Sequence, residues 1–196
     1  MTHYYSPRQE GNLELMTIGA VLRGKRFIFF TGKGVFSRRK VDFGTTLLAD
    51  RMEIRVRDRV LDMGCGIGVL GRVAVMLTRG EVVLVDVNVR AVQLARKNTK
   101  GCDHVRVLQS DGYEKLEGEV FTVILLNPPQ TAGKKVCFQM IEGAFEHLSQ
   151  GGSLQMVARH RIGGAVLSRH MEDVFGNVEI LVKKGGYRVY CSRRLS

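Results

Sequence analysis

From Val60 onward, short apolar runs alternate with segments of helical spacing, and that alternation leaves few folds open. Runs this short bury both faces most readily in a mostly parallel sheet covered by helices on each side. The spacing predicts strands at Val60–Met63, Val82–Asp86, Val105–Gln109, Val120–Leu126, Ser153–Val157, Val178–Val182 and Tyr187–Cys191. Helices are expected at Val69–Thr78, Val89–Asn98, Val136–Leu148 and Ala165–Phe175. Lys184-Gly185-Gly186 supplies a tight turn, so the last strand should return antiparallel to its neighbour. Upstream, Glu14 to Thr31 reads as two strands around Arg23-Gly24-Lys25, the second being Phe27 to Phe30. A helix from Thr45 to Met52 and a charged connection from Arg55 to Arg59 complete the opening.

With 196 residues and 44% hydrophobic content, the chain can bury one core well. One domain, 1–196, is expected: an extension over 1–58 and a core over 59–196 that holds the alternating elements. Cys65, Cys102, Cys137 and Cys191 lie 35 to 54 residues apart, which fits neither paired-cysteine metal spacing nor a compact disulfide framework. No metal is expected, and the cysteines read as reduced thiols. The stretch Met1 to Arg8 lacks the apolar core of a secretion signal, and no run is long and apolar enough to span a bilayer. A soluble, cytoplasmic protein is the expectation.

The formal charge is +11, and the excess is uneven. Residues 1–59 carry twelve basic and six acidic side chains, against eighteen and thirteen over the longer remainder. The densest stretch, Arg23 to Lys40, has seven basic residues and no acid, interleaved with Phe27, Phe29, Phe30 and Phe36. A polyanion is the natural partner for such a face. A solvated face serving only solubility is the alternative reading.

Val60-Leu61-Asp62-Met63 runs into Gly64-Cys65-Gly66-Ile67-Gly68 and then a helix, which puts the glycines at a strand-to-helix turn. Such a turn permits positive φ and close approach of a ligand at the carboxyl edge of the sheet. Asp86, 22 residues after Gly64, ends the second predicted core strand, where a carboxylate can accept both ribose hydroxyls of an adenosine. The glycines also contain GxGxxG as Gly66, Gly68 and Gly71, so a dinucleotide stands beside S-adenosylmethionine as a candidate. A third reading makes the glycines turn punctuation and Asp86 a helix N-cap. Asp111, after the third of these strands, could accept the adenine amino group or merely form an Asx-turn.

Asn127-Pro128-Pro129 ends the apolar run Val123 to Leu126, sixteen residues past Asp111. An exocyclic amine on an aromatic ring is a poor nucleophile because its lone pair is delocalised. Two fixed acceptors, the Asn127 side-chain oxygen and the Pro128 carbonyl, can each take an N–H and aim that lone pair at a methyl donor. The prolines restrict φ and offer no competing N–H. Positioning and electrostatics would then carry catalysis, with no strong base. A plain turn after a strand is the alternative for Asn-Pro-Pro in isolation.

These residues resemble the class I S-adenosylmethionine-dependent methyltransferases, and within them the small-domain family that includes small-subunit rRNA guanine-N2 methyltransferases. Gly34-Val35-Phe36-Ser37 with Val41-Asp42 and Gly44-Thr45 is similar to that family's pre-core signature. Phe175-Gly176-Asn177 with Lys184 to Val189 resembles its closing hairpin in compact members. The resemblance implies a Rossmann-like α/β fold with a seven-stranded sheet, its last strand reversed, behind a small N-terminal β-hairpin. It implies that S-adenosylmethionine is held by Asp62, Gly64, Cys65, Gly66, Gly68, Asp86, Asp111 and Asn127, with Asn127, Pro128 and Pro129 catalytic. The acceptor it implies is guanine N2 in RNA, rRNA foremost; tRNA guanine, DNA adenine-N6, protein glutamine-N5 and a non-catalytic RNA-binding module are the alternatives. The position after the prolines, often aromatic in amino methyltransferases, is Gln130 here, which leaves Phe36 as the candidate ring over the base. Phe36, Arg38, Arg39, Lys40, Gln130, Lys134 and Arg161 are the expected substrate-facing residues, and His160 reads as a surface residue.

Overall fold

The computed structural model describes residues 15–36, 38–130 and 133–195. Glu14, Ser37 and the segment Met1 to Arg8, all part of the sequence reading, lie outside them. β1 (Leu15–Leu22) and β2 (Lys25–Gly32) form a separate two-stranded antiparallel sheet. Arg23 and Gly24 join them with φ of 48° and 75°, the paired positive values of a turn whose twist suits a hairpin. α1 (Phe43–Arg51) follows, and the core then alternates β3 (Val60–Met63), α2 (Val69–Ala74), β4 (Val82–Asp86), α3 (Val89–Asn98), β5 (Val105–Gln109) and β6 (Phe121–Leu126). α4 (Lys134–Glu146), β7 (Leu148–Arg159), a π-helical turn over 160–164, α5 (Ala165–Phe175), β8 (Glu179–Lys184) and β9 (Tyr187–Arg193) close the chain.

The seven core strands lie in the order β5-β4-β3-β6-β7-β9-β8. β3 to β7 pair in parallel, and β9 runs antiparallel to both β7 and β8. The expected seven-stranded sheet with its reversed last strand is present. Side chains alternate across it. Val60, Val82, Leu84, Val123 and Leu125 enter one core with α1, α2, α3 and the hairpin's Leu22 and Phe29. Leu61, Met63, Val83, Val85, Ile124 and Leu126 enter the other with α4 and α5. β3 and β4 are buried on both faces, which is why their sequences read as continuous apolar runs.

The order of strand addition switches between β3 and β6: after β3 the chain builds outward through β4 and β5, then returns to pair β6 in parallel on β3's other side. A crevice opens at the carboxyl ends of strands flanking such a switch. At the opposite, amino end, Arg59 and Arg106 each bond both Glu81 and Glu119, forming a closed ring of four alternating charges. An open cavity of about 470 Å³ adjoins that end, lined by Glu114, Glu117, Glu119 and Glu146 among others. Its acidic wall has the wrong sign for an RNA.

The structure departs from the sequence reading at several element boundaries and in the place of one cation. The helix predicted over Val136–Leu148 ends at Glu146, because Leu148 already pairs with Phe121 as the start of a longer β7. The helix predicted over Val69–Thr78 stops at Ala74 and gives way to turns in which Thr78 Oγ1 donates to the carbonyls of Val56 and Asp58. α1 begins two residues before the predicted Thr45 because Asp42 caps it, accepting from Thr45 N at 3.0 Å. The largest change concerns Arg23, grouped above with the cations facing a polyanion. Its guanidinium Nη1 instead donates to Ala49 O, Asp50 O and Met52 O at 3.0, 3.2 and 3.1 Å. A cation there satisfies carbonyls that a helix end leaves open, so the hairpin tip is clasped to the carboxyl end of α1.

Candidate active site at the carboxyl edge of the sheet

β3 delivers the glycine loop. Gly64, Gly66 and Gly68 take φ of 69°, 56° and 83°, conformations in which a side chain would be strained. Cys65 N donates to Val85 O at 2.9 Å and Gly68 N to Cys65 O at 2.9 Å, so the loop folds back over the end of β4. Asp86, at the end of β4, accepts from Gly66 N and from Asn88 N, each at 2.8 Å, one with each carboxylate oxygen. An oxygen with one bond keeps a second lone pair, so both can still accept a hydroxyl. Burial raises the Asp86 pKa against the bonds that hold its anion. The N-cap role offered above for Asp86 belongs to Asn88, which accepts from Arg90 N and Ala91 N.

Asp62 lies beneath the loop, buried, and accepts from Gly71 N at 2.8 Å. Burial pushes its pKa up to about 7, opposed by the Gly71 bond and reinforced by the charge of Asp86. Its observed contact is to the first turn of α2, so it supports the loop from below. The Cys65 thiol is buried and pushed well above its ordinary value by that burial, which leaves it inert at neutral pH. After β5, Ser110 Oγ accepts from Lys115 N at 3.1 Å and organises the turn, while Asp111 stands exposed two residues past the carboxyl end of that strand. Asn98 ties the hairpin to this region: its side chain bonds Phe30 N, Phe30 O and Ile67 O.

Met63 pairs with Leu126, so Gly64 and Asn127 leave adjacent parallel strands at the same level. Asn127 Nδ2 donates to Thr45 Oγ1 at 2.9 Å and to Asp42 Oδ1 at 3.4 Å. Thr45 Oγ1 in turn donates to Asp42 Oδ2. The direction of this chain is fixed chemically: a carboxylate only accepts, so the Thr45 hydroxyl gives it a proton and must accept from Asn127. The Asn127 amide is thereby oriented with its NH2 toward α1 and its oxygen left as an acceptor. Sequence reasoning missed Asp42 and Thr45 in this role, although both stood in the pre-core segment it singled out.

Pro128 O accepts from Gln130 N at 2.8 Å, so one of the two acceptors expected at the amine already carries a bond and offers its second lone pair. The Gln130 side chain bridges away from the crevice: Oε1 accepts from Arg159 N at 3.2 Å and Nε2 donates to Ile162 O at 2.6 Å. Gln130 thus clips the Asn-Pro-Pro segment to the turn after β7. Phe36 is exposed in the segment after β2, with Arg39 and Lys40 exposed and Arg38 half-buried nearby. Asn88 Nδ2 holds this segment by donating to Gly34 O at 2.9 Å. Lys134 is exposed at the start of α4 and Arg161 in the π-helical turn. His160 is half-buried, its Nδ1 2.8 Å from the hydroxyl of buried Tyr190. Desolvation lowers the His160 pKa, as do the charges of Arg188, Lys183 and Arg161.

Among the described residues no cluster of His, Cys, Asp or Glu could hold a metal, and no helix is long and apolar enough to cross a membrane. The site therefore offers a glycine loop with open backbone, two carboxylates at successive strand ends and a fixed amide acceptor. Such a donor set fits a nucleoside-bearing methyl donor: carboxylates for ribose and base, open backbone beside them, no ligand set for a metal.

Known proteins are similar to this chain in sequence and in fold. A Bacillus subtilis protein, the uncharacterized YbxB, is 35% identical over 98% of both chains. The ribosomal RNA small subunit methyltransferase C of Haemophilus influenzae (strain 86-028NP) is 34% identical over 80% of this chain. This chain spans 48% of that relative, about half its length. The T. thermophilus 16S rRNA N2 guanine methyltransferase RsmC, solved with AdoMet and guanosine, superposes with a TM-score of 0.80 at 28% identity. It is matched over 94% of this chain and 51% of its own. The methyltransferase small domain profile matches residues 26–191, from the hairpin to the last strand, and the chain belongs to that family.

Proposed function

We propose that this methyltransferase uses S-adenosylmethionine to methylate the exocyclic N2 amine of a guanine in small-subunit rRNA. One observation carries the reading: an Asn127 amide whose polarity is set by Asp42 and Thr45, at the same level of the sheet as the glycine loop. The guanine and the rRNA come from the relatives, whose activities are those of proteins about twice this length.

Gly64, Gly66 and Gly68 would pass close to the methionine part of the cofactor, Asp86 would take the ribose hydroxyls, and Asp111 the adenine amine. Bound there, the cofactor supplies an electrophilic methyl group. The Asn127 oxygen and the free lone pair of Pro128 O would each accept one N–H of the guanine amine. With both protons held, the nitrogen lone pair points out of the base plane toward the donor. The nitrogen would bond the methyl group as the methyl–sulfur bond breaks with its electron pair passing to sulfur, leaving the neutral thioether S-adenosylhomocysteine, and the surplus proton would leave to water from the cationic nitrogen. Arg38, Arg39, Lys40, Lys134 and Arg161 would hold phosphates around the crevice mouth.

The test is incubation with labelled cofactor and unmodified rRNA, tRNA or DNA, followed by nucleoside analysis. N2-methylguanosine in small-subunit rRNA is expected. Label confined to adenine in DNA, or to protein glutamine, would overturn the reading while keeping the same pocket chemistry.

A further inference from the structure

The residue capping α1 bonds Asn127, and the next residue is an exposed aromatic. Phe43 is 43% exposed, and its ring leans on Tyr187 with centroids 5.4 Å apart and planes tilted by 54°. Two glycines from distant segments make room for this pair reciprocally. A side chain on Gly44 would meet Tyr187 Cε1 at 3.0 Å and Asp42 Oδ1 at 3.1 Å. A side chain on Gly185 would meet the Phe43 ring at 3.0 Å. The Tyr187 ring and the carboxylate that orients Asn127 therefore crowd the same point.

Tyr187 pairs with Arg159 across β9 and β7, which puts the aromatic pair at the carboxyl edge of the sheet, the same edge as the candidate site and two residues beyond the level of Asn127. The Arg159 guanidinium stands 5.2 Å from the Tyr187 ring centroid. The turn between β8 and β9 reads Lys183-Lys184-Gly185-Gly186-Tyr187-Arg188, four cations or aromatics and no acid. Desolvation lowers the His160 pKa first, and the charges of Arg188 and Lys183 in this turn add to that shift. An aromatic face set among cations is the pairing by which proteins hold unstacked bases and their phosphates. Gln130 cannot serve as that face, because both ends of its amide are committed to Arg159 N and Ile162 O.

We infer that Phe43, braced by Tyr187, is the stacking surface for the RNA base presented to Asn127, and that Arg159 with the β8–β9 turn holds the phosphates beside it. The inference rests on the RNA substrate proposed above and replaces Phe36 in the stacking role.

Binding of a uridine 12-mer RNA carrying one central guanine, with S-adenosylhomocysteine present, tests it by fluorescence anisotropy without any methyl transfer. Phe43→Ala is expected to weaken binding about tenfold, the size of one lost base–aromatic stack. Phe43→Trp should restore affinity, and replacing the guanine by an abasic site should remove the difference between wild type and Phe43→Ala. S-adenosylmethionine affinity, measured by calorimetry, should be the same in all three proteins, which shows that the fold is kept. Equal binding by Phe43→Ala and wild type, an equal loss with the abasic RNA, or no binding of the 12-mer by wild type would each overturn the inference. Failure to find N2-methylguanosine would sink the proposed reaction and leave this binding result standing.

Discussion

The two ends of the parallel sheet use charge in opposite ways. At the amino end, Arg59, Glu81, Arg106 and Glu119 neutralise one another in a closed ring. Hydrogen bonds from Arg106 and Arg59 hold Glu119 below the ordinary carboxylate value against partial burial. For Glu81 partial burial pushes upward, and the same two arginines outweigh it. At the carboxyl end, Asp62 and Asp86 have no cationic partner among the described residues: backbone N–H groups hold them, and burial drives both upward. Paired charges close an edge. Carboxylates held only by amides keep lone pairs and field for something that arrives.

The contrast breaks most sharply at Asn127. Asn127→Ala should cut turnover by about 10²-fold or more with cofactor affinity nearly unchanged, since it removes the acceptor proposed for the reacting amine. Thr45→Val should lower turnover less, by about tenfold, through lost orientation of the amide. Steady-state kinetics with calorimetric cofactor binding would check both, and full activity in Asn127→Ala would abolish the proposed chemistry.

A smaller effect belongs to Asp86. Asp86→Ala should weaken cofactor binding by about ten- to a hundredfold, the span of charge-assisted hydrogen bonds, and leave RNA binding alone. Titration calorimetry reads it directly, and unchanged affinity would take the ribose-binding role from this residue.

The gentlest test is thermal stability against pH, where the two ends should have opposite signs. Glu81 and Glu119 have folded pKa values below the ordinary 4.5, so their stabilisation is present above that value and lost as pH falls through the folded values. Asp62 is the reverse: raised from 3.8 to about 7, it costs stability progressively as pH rises between those limits. Asp62→Asn keeps an acceptor for Gly71 N and should flatten the melting temperature over that window. Glu119→Gln should lower it by an amount equivalent to about 1 kcal/mol, because the ring is partly solvated, without altering turnover. Parallel pH curves for wild type and Asp62→Asn would contradict the assignment.

What was legible in the sequence follows the range of the interactions. β3 and β4 showed themselves as VLDM and VVLVD because burial on both faces leaves no polar positions except the terminal Asp and Asp62. The glycine loop and Asn-Pro-Pro were visible because their chemistry is local. The join of α4 to β7 was not, since Leu148 suits the apolar face of a helix and a buried strand alike. Contacts between distant residues were out of reach: Arg23 with the end of α1, 26 to 29 positions away, and Asn127 with Thr45, 82 positions away. Charge counting placed Arg23 with the solvent-facing cations because composition carries no information about which carbonyls lack a donor.

α1 is pinned at both extremities, its first residues bonded through Asp42 to Asn127 and its last carbonyls held by Arg23. Inserting or deleting a single residue between them would rotate one extremity about 100° against the other. Either the clasp or the orientation of the amide would then be forfeited. Drift in side chains on the outer side of this nine-residue rod is thus far easier to accommodate than any change in how many residues it contains.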